Sequence, residues 1–375
     1  MYRATKQAPP SRPRTRAWRL AALALAGLLG SGCQAGYLLR AGWYQAEMLA
    51  SREPLDAVLE GGRLPPREAE RLRLVPALKA HGRALGLAAT ENYDSVAVGW
   101  NRTIWNVSAC APLSFEVTTT WFPIVGRVPY LGFFREDQAR AQAKAWEARG
   151  LDVHVRTAGA YSTLGWFRDP VLPSMLRGSD TDLANTVFHE LAHATTWIPG
   201  SVSFNETFAS FVGEAATRDW LVTTWGPHAA QVVAWDRERR DMARIEALLH
   251  GLYTDLDAVY RDPARSPVSK REAKAALYAS LPTRVAASDI EDQTAARDWA
   301  ARGPWNNARL AQFRTYNGDK DLFAALYARE GGNLPRFLAA VRTLSDQDGD
   351  PAVALRRAAG PTRAASTSAD NVKIP

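Results

Sequence analysis

Between Asn185 and Glu214 the chain reads NTVFHELAHATTWIPGSVSFNETFASFVGE, a largely apolar stretch that also carries His189, Glu190, His193, Glu206 and Glu214. Val187, Phe188, Leu191, Ala192 and Trp197 make one apolar helix; Phe208, Phe211, Val212 and Ala215 give a second its apolar face. Pro199-Gly200 cannot continue the first, which should end near Thr196, and Ser203 or Asn205 can cap the second. A fold that buries both helices must find partners for their imidazoles and carboxylates, because an ionisable group taken out of water alone is costly. No other feature narrows the choice of fold as much.

Residues four apart stack on one face of a helix, so His189 and His193 can aim two ring nitrogens at one ion. Tetrahedral coordination leaves room for a third protein ligand and a water. Glu190 is offset by about 100° around the helix, beside such an ion and not on it. From there it can act as general base on a water whose pKa zinc lowers to about 7. Glu206, in the first turn of the second helix, is the expected third ligand. The linking residues Trp197–Phe204 can span up to roughly 25 Å, enough for the second helix to return across the first. Ala209, Ser210 and Gly213 are small and permit a close approach. Two alternatives stay open. Ser203-x-x-Glu206 is also a capping-box pattern, and Glu214, two turns on, could bind the ion or orient a histidine.

The formal charge of +7 invites a nucleic-acid reading, but Arg3, Lys6, Arg12, Arg14, Arg16 and Arg19 supply six of the seven charges. The rest of the chain is nearly neutral and lacks the field that phosphate neutralisation requires. Nucleic acid is excluded as a partner. The basic start precedes the apolar run Leu20–Leu29 and then GSGC, the parts of a secretory signal over residues 1–32. Ten apolar residues make a helix of about 15 Å, half the hydrocarbon thickness. LLGSGC resembles a bacterial lipobox, except that Gly30 stands where a large aliphatic residue is usual. The resemblance implies lipidation at Cys33 and a chain anchored to a membrane in the cell envelope, facing the periplasm. Cys110 then has no disulfide partner and reads as a small core residue.

Residues 33–90 read as N-terminal helices, one from Gly36 to about Gly61 and one opened by Pro65-Pro66 and kinked at Pro76. Tyr93–Phe134 is rich in β-branched and aromatic residues broken by Asn, Pro and Gly, and reads as short strands. Glu136–Arg149 is a polar helix, and LDVHVRTAG is a strand that turns His154 away from Val153 and Val155, towards solvent. Helical patterns fill the remainder until about residue 350, and 351–375 reads as a disordered tail. The expected fold is α+β: mostly helical, with a small antiparallel or mixed sheet preceding the HELAH helix, in a domain over 91–350. Tyr161 and Tyr316 are candidates to stabilise a developing oxyanion, with core packing as the plainer use. Asn306-Asn307 could contact substrate backbone or cap a helix.

HELAH followed by Asn-Glu on another helix resembles the gluzincin metallopeptidases, and NETFASF is similar to the NEGFA-type segment of their aminopeptidase branch. The resemblance implies a zincin-like fold, a Zn2+ ion, and Glu206 as third ligand after His189 and His193. Twelve residues separate His193 from Glu206, fewer than in those families, and the G-x-M-E-N substrate motif is absent. More closely, the chain resembles a family of bacterial aminopeptidases. GYLLRAGWYQAEML, AYSTLGWFRDPVLPSML, the HELAH–NETFASF core and NNARLAQFRTY carry that likeness, which implies peptide substrates. An aminopeptidase also needs a carboxylate for the substrate ammonium, and Glu116, Asp169 and Glu214 are the candidates. The competing reading is a non-catalytic envelope lipoprotein that keeps a zincin fold as a binding or scaffold protein.

Overall fold

The computed structural model describes residues 32–122, 126–158, 168–345 and 349–360. The chain divides into two compact units between Ala50 and Ser51. In the first unit the one described element is helix α1 (Gly32–Ala50). The expected helix to Gly61 stops at Ala50 because β1 (Arg52–Pro54) pairs antiparallel with β2 (Ser95–Ala97). Between these strands come α2 (Leu55–Glu60) and α3 (Pro66–Ala84). Pro65 precedes α3 and Pro66 opens it, where a missing N–H costs nothing. Pro76 lies on its exposed side and does not end it. Leu72, Val75 and Leu78 form its buried stripe, so α3 belongs to the second unit's core.

The main sheet has three antiparallel strands in the order β6 (Tyr130–Phe133), β3 (Ile104–Cys110), β7 (Asp152–Ala158). A separate ribbon pairs β4 (Thr120–Phe122) with β5 (Gly126–Val128). β3 is buried along almost its whole length because both faces are covered. On one face lies α4 (Glu136–Glu147), with the Arg140 guanidinium 6.0 Å from the Trp105 ring. On the other lies α11 (Asn307–Asn317), facing Asp152, His154 and Arg156 of β7. His154 is therefore half-buried, not solvent-facing as the alternation suggested. Alternation tells which residues share a face, but not which face a later helix will cover.

The remaining helices are α5 (Asp180–Thr195), α6 (Val202–Trp225), α7 (Ala230–Arg261), α8 (Pro267–Ala279), α9 (Leu281–Ala286), α10 (Gln293–Ala301), α12 (Lys320–Arg329), α13 (Leu334–Ser345) and α14 (Pro351–Ala359). α7 buries Ile245, Leu249, Leu252, Leu256 and Tyr260 against Tyr278, Leu281, Val285 and Leu310. Asn307 locks this cluster to the sheet. Its Oδ1 accepts from the Tyr260 and Tyr278 hydroxyls, both at 2.8 Å, and its Nδ2 donates to the carbonyls of Ala111, Pro112 and Ser114. Asn306 caps α11 and donates to the Val153 carbonyl at 2.8 Å. Both asparagines thus serve structure, the plainer of their two expected uses. Cys110 is buried and free, and burial first, then the Asp152 charge, pushes its thiol up to about 12. The structure differs from the expected tail in one respect: α14 is a helix capped by Asp350, with Leu355 fully buried. The rest of that tail, from 361, lies outside the described residues, as do residues 1–31, where the secretory signal is expected.

Candidate metal centre

Ser179 caps α5, accepting from the Asp182 amide while Asp182 Oδ2 accepts from the Ser179 amide, a reciprocal box that fixes the helix start. α5 ends at Thr195 with Thr196 as its C-cap, as Pro199-Gly200 demanded, and Gly200 adopts φ +80°, a conformation that L side chains resist. Asn205, in the first turn of α6, reaches back to the connection. It accepts from the Ile198 amide at 2.9 Å and donates to the Ile198 carbonyl at 2.8 Å. This two-way clasp sets the direction in which α6 leaves the turn. Its expected use as an ordinary cap is replaced, since α6 starts at Val202 after an N-cap Ser201 that makes no side-chain bond.

α6 then lies against α5 at very close range. A Cβ on Gly213 would stand 2.9 Å from Asn185 Oδ1, 3.1 Å from the Asn185 carbonyl oxygen and 3.3 Å from His189 Cβ. That approach brings Glu206 to both histidines. His189 Nε2 and His193 Nε2 are 3.1 Å apart, and Glu206 Oε2 is 3.5 Å from the first and 3.7 Å from the second. The capping-box use of Glu206 is not realised. His193 and Glu206 are buried and His189 is half-buried. Burial alone would raise the Glu206 carboxyl. The contacts with His189 and His193 and their charges outweigh it and hold the group down at about 2. Burial likewise disfavours a charged His189, but Glu206 and the charges of Glu190 and Glu214 raise it.

These three atoms fit a metal ion. Ligands about 2.0–2.1 Å from a tetrahedral ion lie about 3.3–3.4 Å from each other, and the three observed edges straddle that value. Two imidazole nitrogens facing each other beside a carboxylate, all withdrawn from water, are what a cation would bring into register. Among the described residues this is the one group of three acidic, histidine or cysteine side chains so arranged.

Glu190 lies next in sequence to His189, and its Oε2 is buried with no hydrogen-bond partner. Tyr93 shares its surroundings, a placement that no local motif announced. It is buried, sits at φ +65°, and has its amide bonded to the Asp169 carbonyl at 2.7 Å. Burial first, then the charges of Glu190 and Asp169, hold its hydroxyl well above the usual tyrosine range. Lys79 braces the loop by donating to the Asn92 carbonyl and pairing with Asp94. A second tyrosine approaches from α11. Tyr316 is raised by burial and by the Glu206 charge, and its hydroxyl accepts from Arg156 at 3.0 Å.

Glu214 is engaged elsewhere: Oε1 binds Arg239 Nη1 and Lys320 Nζ, each at 2.8 Å, and Lys320 also binds Glu246 at 3.0 Å. Of the other two candidate carboxylates, Glu116 is exposed and Asp169 is buried beside Tyr93. Tyr161 lies outside the described residues, and so does the side chain of Cys33.

Fold and cluster together define an α+β protein with a buried two-histidine, one-carboxylate site able to hold a metal ion. The chain belongs to the family described as "Putative aminopeptidase", whose model matches residues 36–352. No curated protein and no solved structure matches it.

Proposed function

We propose that the protein is a zinc-dependent peptidase, an aminopeptidase of zincin-like fold, with His189, His193 and Glu206 as metal ligands and Glu190 as general base. The observation that carries the reading is the triangle of ligand atoms with 3.1, 3.5 and 3.7 Å edges. A zinc ion there supplies Lewis acidity and a water-derived nucleophile at neutral pH. Glu190 does the proton work: its carboxylate takes a proton from the attacking water and delivers it to the leaving amine. A structural metal site has no use for a carboxylate with an unbonded, buried oxygen at that position. Oxyanion stabilisation falls to a tyrosine, with Tyr161 and Tyr316 as the candidates; Tyr316 is supported by its being buried within the field of the Glu206 charge. β7 is an edge strand among the described residues, and an extended peptide can add to it by main-chain hydrogen bonds.

The peptidase is further proposed to be an envelope lipoprotein, exported by the signal in residues 1–32 and anchored through Cys33. The decisive experiment measures metal content and peptide hydrolysis in wild type, Glu190→Gln, Glu206→Ala and Glu214→Ala. Glu190→Gln should keep its zinc and lose turnover by about 10²–10⁴-fold. Glu206→Ala should lose the zinc and Glu214→Ala should retain it. Bound metal with no turnover on a broad peptide library would instead favour the binding or scaffold reading.

A further inference from the structure

Three of the eight large hydrophobic side chains exposed among the described residues sit within six residues of α1. Leu38 is 45% exposed, Leu39 77% and Trp43 72%. They are not scattered around the helix. At about 100° per residue, Leu38, Gly42, Ala46, Leu39, Ala50 and Trp43 fall in that order within an arc of about 140°, and all six are exposed. Leu49 falls in the same arc, and no polar or charged side chain does. Arg40, Tyr44, Gln45 and Glu47 all project outside it. A surface helix normally turns its charged side to water; here the exposed side is apolar apart from Arg40, which lies about 60° beyond Trp43.

We infer that this face of α1 lies on a lipid bilayer. The occupant is indicated by the chain that runs into the helix. Leu20–Leu29 is an apolar run preceded by six basic residues, and Cys33, at the lipobox-like position, falls in the first turn of α1. A lipid on Cys33 would bring the N-terminal end of α1 to the membrane surface. Leu38 follows five residues later, about 7.5 Å along the helix, so the apolar face begins where the anchor ends. Leucine and tryptophan without charge suit the boundary between headgroups and acyl chains. No helix of the described residues is long and apolar enough to cross a membrane, so α1 lies along the surface. A single acyl chain binds only marginally, and a second apolar contact makes the attachment lasting.

The inference rests on the membrane anchoring proposed above, and the test separates the two. The full chain is produced in bacteria, and its membrane fraction is reconstituted into phosphatidylethanolamine/phosphatidylglycerol vesicles. Leu39→Cys and Trp43→Cys, with Glu47→Cys as the control on another face, are labelled with a polarity-sensitive fluorophore; unsubstituted protein supplies the background. Two independent positions guard against one label disturbing the helix. If the protein is not in the membrane fraction, the anchoring reading fails. If it is, quenching by acyl-chain nitroxide lipid at positions 39 and 43 should exceed that at 47 several-fold. Quenching by aqueous iodide at 39 and 43 would show a face open to water and overturn the inference. Protection from both quenchers would show a face covered by protein and overturn it equally.

Discussion

Replacing Gly213 by alanine tests the physical basis of the metal centre, because Gly213 is where α5 and α6 touch. The added methyl would meet Asn185 Oδ1 at 2.9 Å, the Asn185 carbonyl oxygen at 3.1 Å and His189 Cβ at 3.3 Å. The amide oxygen can swing aside, but the carbonyl and the His189 Cβ belong to the backbone path of α5. Comfortable contact between carbons starts at about 3.5 Å, so the helices must separate by roughly 0.3–0.5 Å. Overpacking of this kind costs about 1–3 kcal/mol, and the better helix propensity of alanine returns about 1 kcal/mol. The net loss of stability should be about 0–2 kcal/mol. Metal binding should suffer more, since ligand distances tolerate only about ±0.2 Å and the shift moves Glu206 away from both histidines. Zinc affinity, measured by chelator competition, should fall about 10–100-fold, the scale on which misoriented ligands act. Gly251 is the control: it lies within α7, and a Cβ added there would have nothing within 4 Å. Gly251→Ala should stabilise by about 0.5–1 kcal/mol and leave zinc affinity unchanged. If Gly213→Ala behaves like that control, Glu206 is not placed by helix contact and the account of the site is wrong.

Asn307→Ala should destabilise by roughly 3–5 kcal/mol in urea unfolding, because it strands two tyrosine hydroxyls and several carbonyls in a fully buried place. Asn205→Ala opens the clasp on Ile198 and should cost about 1–3 kcal/mol and weaken zinc binding, whereas an unchanged zinc affinity would show that the turn holds itself. His154, held at about 4 by burial and by Arg309 and Arg156, binds its proton less readily folded than unfolded. Its contribution is complete above pH 6.5 and is lost as pH falls from 6.5 through 4, up to about 3 kcal/mol. His154→Gln should flatten that part of the stability profile of the metal-free protein, and an unaltered slope would refute the assignment.

The cluster of His189, His193 and Glu206 was largely legible because both helices that build it are consecutive. The spacing of His189 and His193, the stop at Pro199-Gly200 and the small residue at Gly213 are local signals, and local signals survive in a sequence. Features made by distant partners were not legible. Arg52-Glu53-Pro54 carries no strand signature and becomes β1 only because Ser95–Ala97 lies alongside. Tyr93 looks ordinary in ENYDS, and its burial within the field of Glu190 depends on Asp169 and Lys79 fixing its loop. α14 had its start signal, Asp350 before Pro351, which the alanine- and arginine-rich composition obscured; the buried Leu355 is what secures it.

That division between near and far also separates two kinds of dependence in the site. The ligand triangle is set by α5, α6 and the Ile198–Asn205 clasp, all within residues 180–225. The groups linked to Glu190 and Glu206 come from elsewhere: Tyr93 and Asp169 from the loops flanking β2 and α5, Tyr316 from α11, and Arg156 from β7. Substitutions within the helix pair should therefore remove metal and activity together. Substitutions in the remote set should spare the metal while altering turnover. Tyr316→Phe is the sharpest case, because it deletes one hydroxyl that feels the Glu206 charge and accepts from Arg156, without removing a proposed ligand. It should leave zinc affinity within about twofold and lower turnover by about 10²-fold if that hydroxyl meets the developing oxyanion. Equal losses of metal and activity would mean that α11 holds Glu206 in place and that the centre is less self-contained than its short span of sequence suggests.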